Sequence, residues 1–105
     1  MRVVRVHTKW RSVAGRFTFS VHAVQKMALR GISADEVIEV VNQGDVIEDY
    51  PQDIPFPSRL LLGVAQGRPL HVVAAATPEG DTVIITVYGP DPLRWDPNLR
   101  KRLGS

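Results

Sequence analysis

The chain has 105 residues, 44% of them hydrophobic, no cysteine and a formal net charge of +2 with a sequence pI near 9.4. These values describe one domain, able to bury roughly 65% of the surface its unfolded chain exposes, and they exclude disulfides, thiol nucleophiles and cysteine-ligated zinc. Apolar runs such as Val72–Ala76 are too short to span a bilayer, and Arg2, Arg5, His7 and Lys9 interrupt any signal-peptide core. The expectation is a cytoplasmic protein without a membrane partner. The small net charge hides large blocks: residues 1–34 carry seven Lys/Arg and no acid, residues 35–57 carry seven Asp/Glu and no Lys/Arg, and the tail from Asp91 is basic again. Such blocks either complement one another within the fold or meet an anionic partner.

In chain order, Arg2–His7 is β-branched and reads as an edge strand, and Lys9–Gly15 as a basic loop. Ser20 is a good helix N-cap, with Phe19 placed to staple onto Val24. Gly31, free to enter the left-handed region, ends the helix after Arg30. Val21, Val24, Met27 and Ala28 form its expected core face. Ser33 and Glu36 make a capping box for a second helix, with Asp35 and Glu36 favoured in its first turn by the helix dipole. Its apolar face is Val37, Ile38, Val40 and Val41, and Gly44 stops it.

Val46–Tyr50 reads as a short strand, and Pro51, Pro55 and Pro57 make the following segment an extended loop. Three punctuated strands follow: Arg59–Gln66, then a strand opened by Pro69 and continued by His71–Thr77, then Thr82–Tyr88 after the turn Pro78-Glu79-Gly80-Asp81. Pro97 starts an expected last helical turn through Leu103. Helices before hairpin-linked strands predict an α+β fold, with two consecutive N-terminal helices packed on a three- or four-stranded antiparallel sheet. Leu60, Leu62 and Val64 are assigned to the helix-covered face. Parity puts His71, Arg59, Thr86 and Tyr88 together on the less covered one.

The sharpest functional signal is a nitrogen-bearing stripe on the first helix, His22, Lys26 and Arg30, one residue every four. It can track a phosphate backbone, with His22 near a helix N-terminus that favours anions. The competing reading makes it structural, with Lys26 and Arg30 paired to the acidic segment Asp45–Asp53. His7, His22 and His71 lack metal-ligand spacing, and there is no glycine-rich phosphate loop or nucleophile elbow, so no metal and no cofactor are expected.

Ser20-x-His22-Ala23-x-x-Lys26-Met27-x-x-Arg30-Gly31-Ile32-Ser33, followed by Gly44–Pro51, Gly67–Val73, Ile85–Tyr88 and Trp95, resembles a bacterial family of small proteins of unknown function. The resemblance spans residues 18–102 and leaves 1–17 as an extension; the family carries arginine where this chain has Lys26. That family is grouped by similarity with RelE/ParE-like toxins. The resemblance therefore implies a RelE-like fold and action on RNA or the ribosome, either as a metal-independent ribonuclease or as an RNA binder, with a cognate antitoxin as partner. Metal-free RNA cleavage needs a base, an acid and cations for the phosphate. On that reading His71, Tyr88 and Arg59 are the catalytic candidates, and His22, Lys26, Arg30 and Arg68 the RNA-binding ones. The alternative is a non-catalytic protein-interaction module.

Overall fold

The computed structural model of the chain describes residues 16–104. The elements in order are β1 (Phe17–Phe19), α1 (Val21–Arg30), α2 (Ala34–Gln43), β2 (Asp45–Tyr50), β3 (Ser58–Ala65), β4 (Arg68–Ala76) and β5 (Thr82–Tyr88). They form one five-stranded mixed sheet in the order β1-β5-β4-β3-β2, with β1 parallel to β5 and the other neighbours antiparallel.

This corrects the expected architecture. A strand precedes the helices, the sheet is neither three- nor four-stranded nor purely antiparallel, and the helices carry the chain from one sheet edge to the other. The physical reason lies in β1, whose partner is some 65 residues away in sequence and invisible to local patterning. Ser20 Oγ donates to Ile85 O at 2.8 Å, while Ser20 N donates to Ile84 O at 2.9 Å. The expected strand at residues 2–7 and loop at 9–15 lie outside the described residues.

The helices form where capping chemistry places them. Ser20 accepts from Ala23 N, and Gly31 sits at φ 64° as a left-handed cap. Ser33 and Glu36 complete a reciprocal capping box. Gly44 ends α2 for a different reason than handedness: its φ is −78°, but a Cβ there would lie 2.5 Å from Val40 O and 2.6 Å from Leu62 O.

One core unites Ala23 of α1, Val37, Val40 and Val41 of α2, and Leu61, Ala65, Leu70, Val72, Ala74, Ile84 and Val87 of the sheet. One face assignment is thereby reversed and a second is overturned in part. In β3 it is Leu61, Gly63 and Ala65 that meet α2, because the helix comes so close that a Cβ on Gly63 would lie 3.0 Å from Val40 Cγ1. The larger Leu60 and Leu62 turn to the other side. In α1 it is Ala23 that is buried, with Met27 of the expected face packed against the core as well, while Val21 and Val24 are 74% and 52% exposed. Tethering of Ser20 to β5 sets the rotation of α1, and a small residue permits its close approach.

The other face of the sheet is covered by the C-terminal segment 91–104, which forms no regular helix. Trp95 is buried there and pairs with Arg102 in an isolated antiparallel bridge, closed by Leu103 N donating to Arg94 O and Asp96 N donating to Lys101 O, both at 2.8 Å, and Asp96 organises the turn by accepting from Arg100 N at 2.9 Å. The expected final helical turn is thus a hydrogen-bonded strap.

Candidate nucleic-acid interface

His22 and Arg30 are exposed and Lys26 is half-buried. Six other arginines each meet a carboxylate: Arg16 with Asp81, Arg59 with Asp49, Arg68 with Glu36, Arg94 with Asp91, Arg100 with Asp45 and Arg102 with Glu48. Among the described residues, Lys26 and Arg30 have no such partner. Residues 1–15 contain no Asp or Glu, so no side-chain acid remains outside the described residues to neutralise them. The acidic segment proposed as their partner is engaged elsewhere: Asp45 by Arg100, Glu48 by Arg102, Asp49 by Arg59 and Asp53 by Ser58. The charge blocks do complement each other, but Arg100 and Arg102 of the tail take two of the acids, β3 takes the other two, and none of the four meets α1.

Arg68, at the start of β4, reaches under the α1–α2 turn. Its Nη2 donates to Gly31 O at 2.8 Å and to Glu36 Oε1 at 3.2 Å, and its Nε donates to Glu36 Oε2 at 3.3 Å. Glu36 is buried, and the Ser33 backbone bond followed by the Arg68 contacts holds its carboxyl below the usual carboxylate range despite that burial. The edge donors of Arg68 are therefore largely spent on the turn. Beside it lies an open cleft of about 380 Å³, lined by Leu29, Arg30, Ile32, Arg68, Pro69, Leu70 and Gly89. Arg30 belongs to both the stripe and the cleft. Leu29 is 82% exposed at its rim.

The residues expected to share a catalytic face do not all meet. Pairing of His71 with Tyr88 and of Val73 with Thr86 puts His71, Tyr88 and Thr86 on the strap-covered face. Arg59 is opposite Asp49 and Ala74, on the helix side, because the register of β3 is the reverse of the expected one. His71 is fully buried. Its Nε2 lies 2.8 Å from Leu99 O, which makes it the donor; its Nδ1 is buried with no partner among the described residues. Its ring packs edge-on against Trp95 at 4.4 Å and Tyr88 at 5.2 Å. Burial pushes the imidazole below its ordinary value, outweighing the Leu99 bond and the nearby Glu48. Burial likewise raises the Tyr88 phenol.

Around this pair the strap builds a polar cluster that sequence reading missed. Arg102 Nε donates to Glu48 Oε2 at 3.1 Å, its guanidinium lies 4.7 Å over the Trp95 ring, and Tyr50 Oη donates to Glu48. Burial raises Glu48, but the Arg102 and Tyr50 hydrogen bonds outweigh it and leave the carboxyl below its ordinary value; burial and Glu48 push Tyr50 up to about 12. The available signal was the opposite charge of the tail and the 45–53 segment. Which acid met which base needed the fold.

Among the described residues no three His, Asp or Glu side chains are grouped to hold a metal, and no helix is long and apolar enough to cross a membrane. No curated protein and no solved structure matches the chain, so the toxin grouping draws no support from either. Residues 19–89, from the end of β1 to the residue after β5, match the family described as a domain of unknown function, DUF4258, and leave the strap outside the match. The chain belongs to that family.

Proposed function

We propose that this domain binds RNA through the cationic flank of α1 formed by His22, Lys26 and Arg30. The observation that carries this reading is the absence of counter-charges. Six other arginines are paired within the fold, whereas Lys26 and Arg30 lie on one helix with no ion-pair partner among the described residues, and the segment before them holds no Asp or Glu. Unneutralised cations repeated every four residues suit a polyanion whose phosphates recur along a strand. The same geometry favours binding over cleavage: the imidazole of His71 is enclosed and committed to Leu99, and Arg59 lies on the opposite face.

The test is RNA binding as a function of salt. Phosphate neutralisation releases counterions, with a log–log slope of about −0.7 per contact for a single strand. Lys26→Ala with Arg30→Ala should weaken binding and flatten the slope by about 1.4, with melting temperature unchanged. Equal affinity and slope for the double variant would refute the reading. RNA fragments produced by the purified protein would return catalysis to consideration.

A second reading, a protein-interaction module, is favoured by the outward apolar residues of α1, Val21 and Val24. Val21→Ser with Val24→Ser separates the two: protein contacts would be lost and the RNA salt slope kept.

A further inference from the structure

We propose that the cleft between the α1–α2 turn and the start of β4 receives one unstacked base of a single-stranded RNA; this rests on the RNA reading above and names the form of RNA it takes. The cleft, at about 380 Å³, falls at the lower end of the roughly 300–1,000 Å³ range of small-molecule sites. Its chemistry is that of a base pocket. Leu29, Pro69 and Leu70 supply apolar walls. Leu29, 82% exposed, leaves its side chain open at the rim, where an entering base would contact it.

The cation in the cleft is held unlike a free phosphate clamp. Arg68 donates to the buried Glu36 carboxylate and to the carbonyls of Gly31 and Arg30. Glu36 is itself fixed by the Ser33 N–H at 2.9 Å. A guanidinium whose edge is locked on one side, and whose side chain is still 41% exposed, offers chiefly its flat face. Planar arginine faces stack on splayed bases of single strands. Arg30, with no carboxylate partner among the described residues, sits beside the cleft and at the end of the stripe. It is placed to hold the phosphate next to the inserted base while Lys26 and His22 take the strand onward. Bases within a duplex are stacked and paired, so they cannot enter.

Gly89 provides a clean test. It lines the cleft, and a Cβ built on it meets nothing within 4 Å, so Gly89→Leu adds a side chain at the cleft wall, with an unchanged melting temperature as the check that the fold is kept. Three probes are compared on the 105-residue chain: a short fluorescent single-stranded RNA, a duplex of the same length, and inorganic polyphosphate, which has the charge without the base. The wild type should prefer the single strand to the duplex. Gly89→Leu should weaken single-strand binding about tenfold, as expected for loss of one stacked base, while leaving the salt slope, the duplex affinity and the polyphosphate affinity unchanged. Leu29→Ala should act in the same direction. Equal affinity of the wild type for single strand and duplex, or single-strand affinity unaltered in both variants, would overturn the base pocket while RNA binding stood. An equal loss for polyphosphate would show that the cleft takes phosphate instead and would likewise overturn it. A wild type that binds no RNA at low salt would remove the RNA reading and this one with it.

Discussion

Replacing His71 separates a structural imidazole from a catalytic one. The side chain is fully buried, donates to Leu99 O at 2.8 Å, and makes edge-on contacts with Trp95 and Tyr88. Deleting a large buried ring to alanine costs about 3–5 kcal/mol. The imidazole is smaller than a phenyl ring, which places His71→Ala near the lower end, at about 3 kcal/mol. Of this, about 1 kcal/mol is the hydrogen bond, and each ring contact contributes about 0.5–1.5 kcal/mol. His71→Phe keeps most of the packing, loses the bond to Leu99 and also removes the partnerless Nδ1, so its cost should be about 1 kcal/mol. Against a total stability of about 5–15 kcal/mol for a chain of this length, both variants fold, and the order wild type, Phe, Ala should be read directly from urea midpoints followed by circular dichroism. RNA affinity measured on the folded proteins should stay at the wild-type level in both. If His71→Ala left the urea midpoint in place and abolished an RNA-directed activity, the ring would be a proton-transfer group and its burial would not be structural.

Stability should show a plateau between about pH 6.5 and 10 and fall on either side. His71 is held below its ordinary value near 6.5, so its neutral form supports the fold above that value and the support is lost as pH falls through the depressed one; Glu48, below its ordinary 4.5, steepens the loss further into acid. Tyr50, raised from 10.0 to about 12, contributes stability that is lost as pH rises between those values. His71→Phe should flatten the limb just below pH 6.5 in thermal melts, and an unchanged limb would show that another group governs it. Gly44→Ala should destabilise by about 1–3 kcal/mol through overpacking, because its Cβ would meet the carbonyls of Val40 and Leu62; an unchanged urea midpoint would mean that α2 can lift off β3 freely. Ser20→Ala removes both the α1 cap and the bond to Ile85 O, and should cost about 1–2 kcal/mol without altering the RNA salt slope.

The local elements were legible in the sequence because their causes are local. Ser20, Gly31 and the Ser33–Glu36 box define both helices, since caps satisfy backbone groups within one turn of themselves. Proline and glycine mark out β2 to β5 in the same way. The α1 stripe was legible too, because a spacing of four places side chains on adjoining positions of any helix. What those residues do was not. Whether Lys26 and Arg30 are paired depends on Arg100 and Arg102 reaching Asp45 and Glu48, residues more than 50 positions away.

Tertiary structure alone decided the rest. Three-residue β1 has too little pattern of its own and exists through its pairing with β5. Period-two alternation tells which residues of β3 share a face but not which face, and the closeness of α2 chose the one bearing Gly63 and Ala65. His71 on a β-strand looks the same in sequence whether its face is open or covered. The strap settles it, placing Trp95 on the ring and Leu99 O on Nε2, and so turns a titratable side chain into part of the packing.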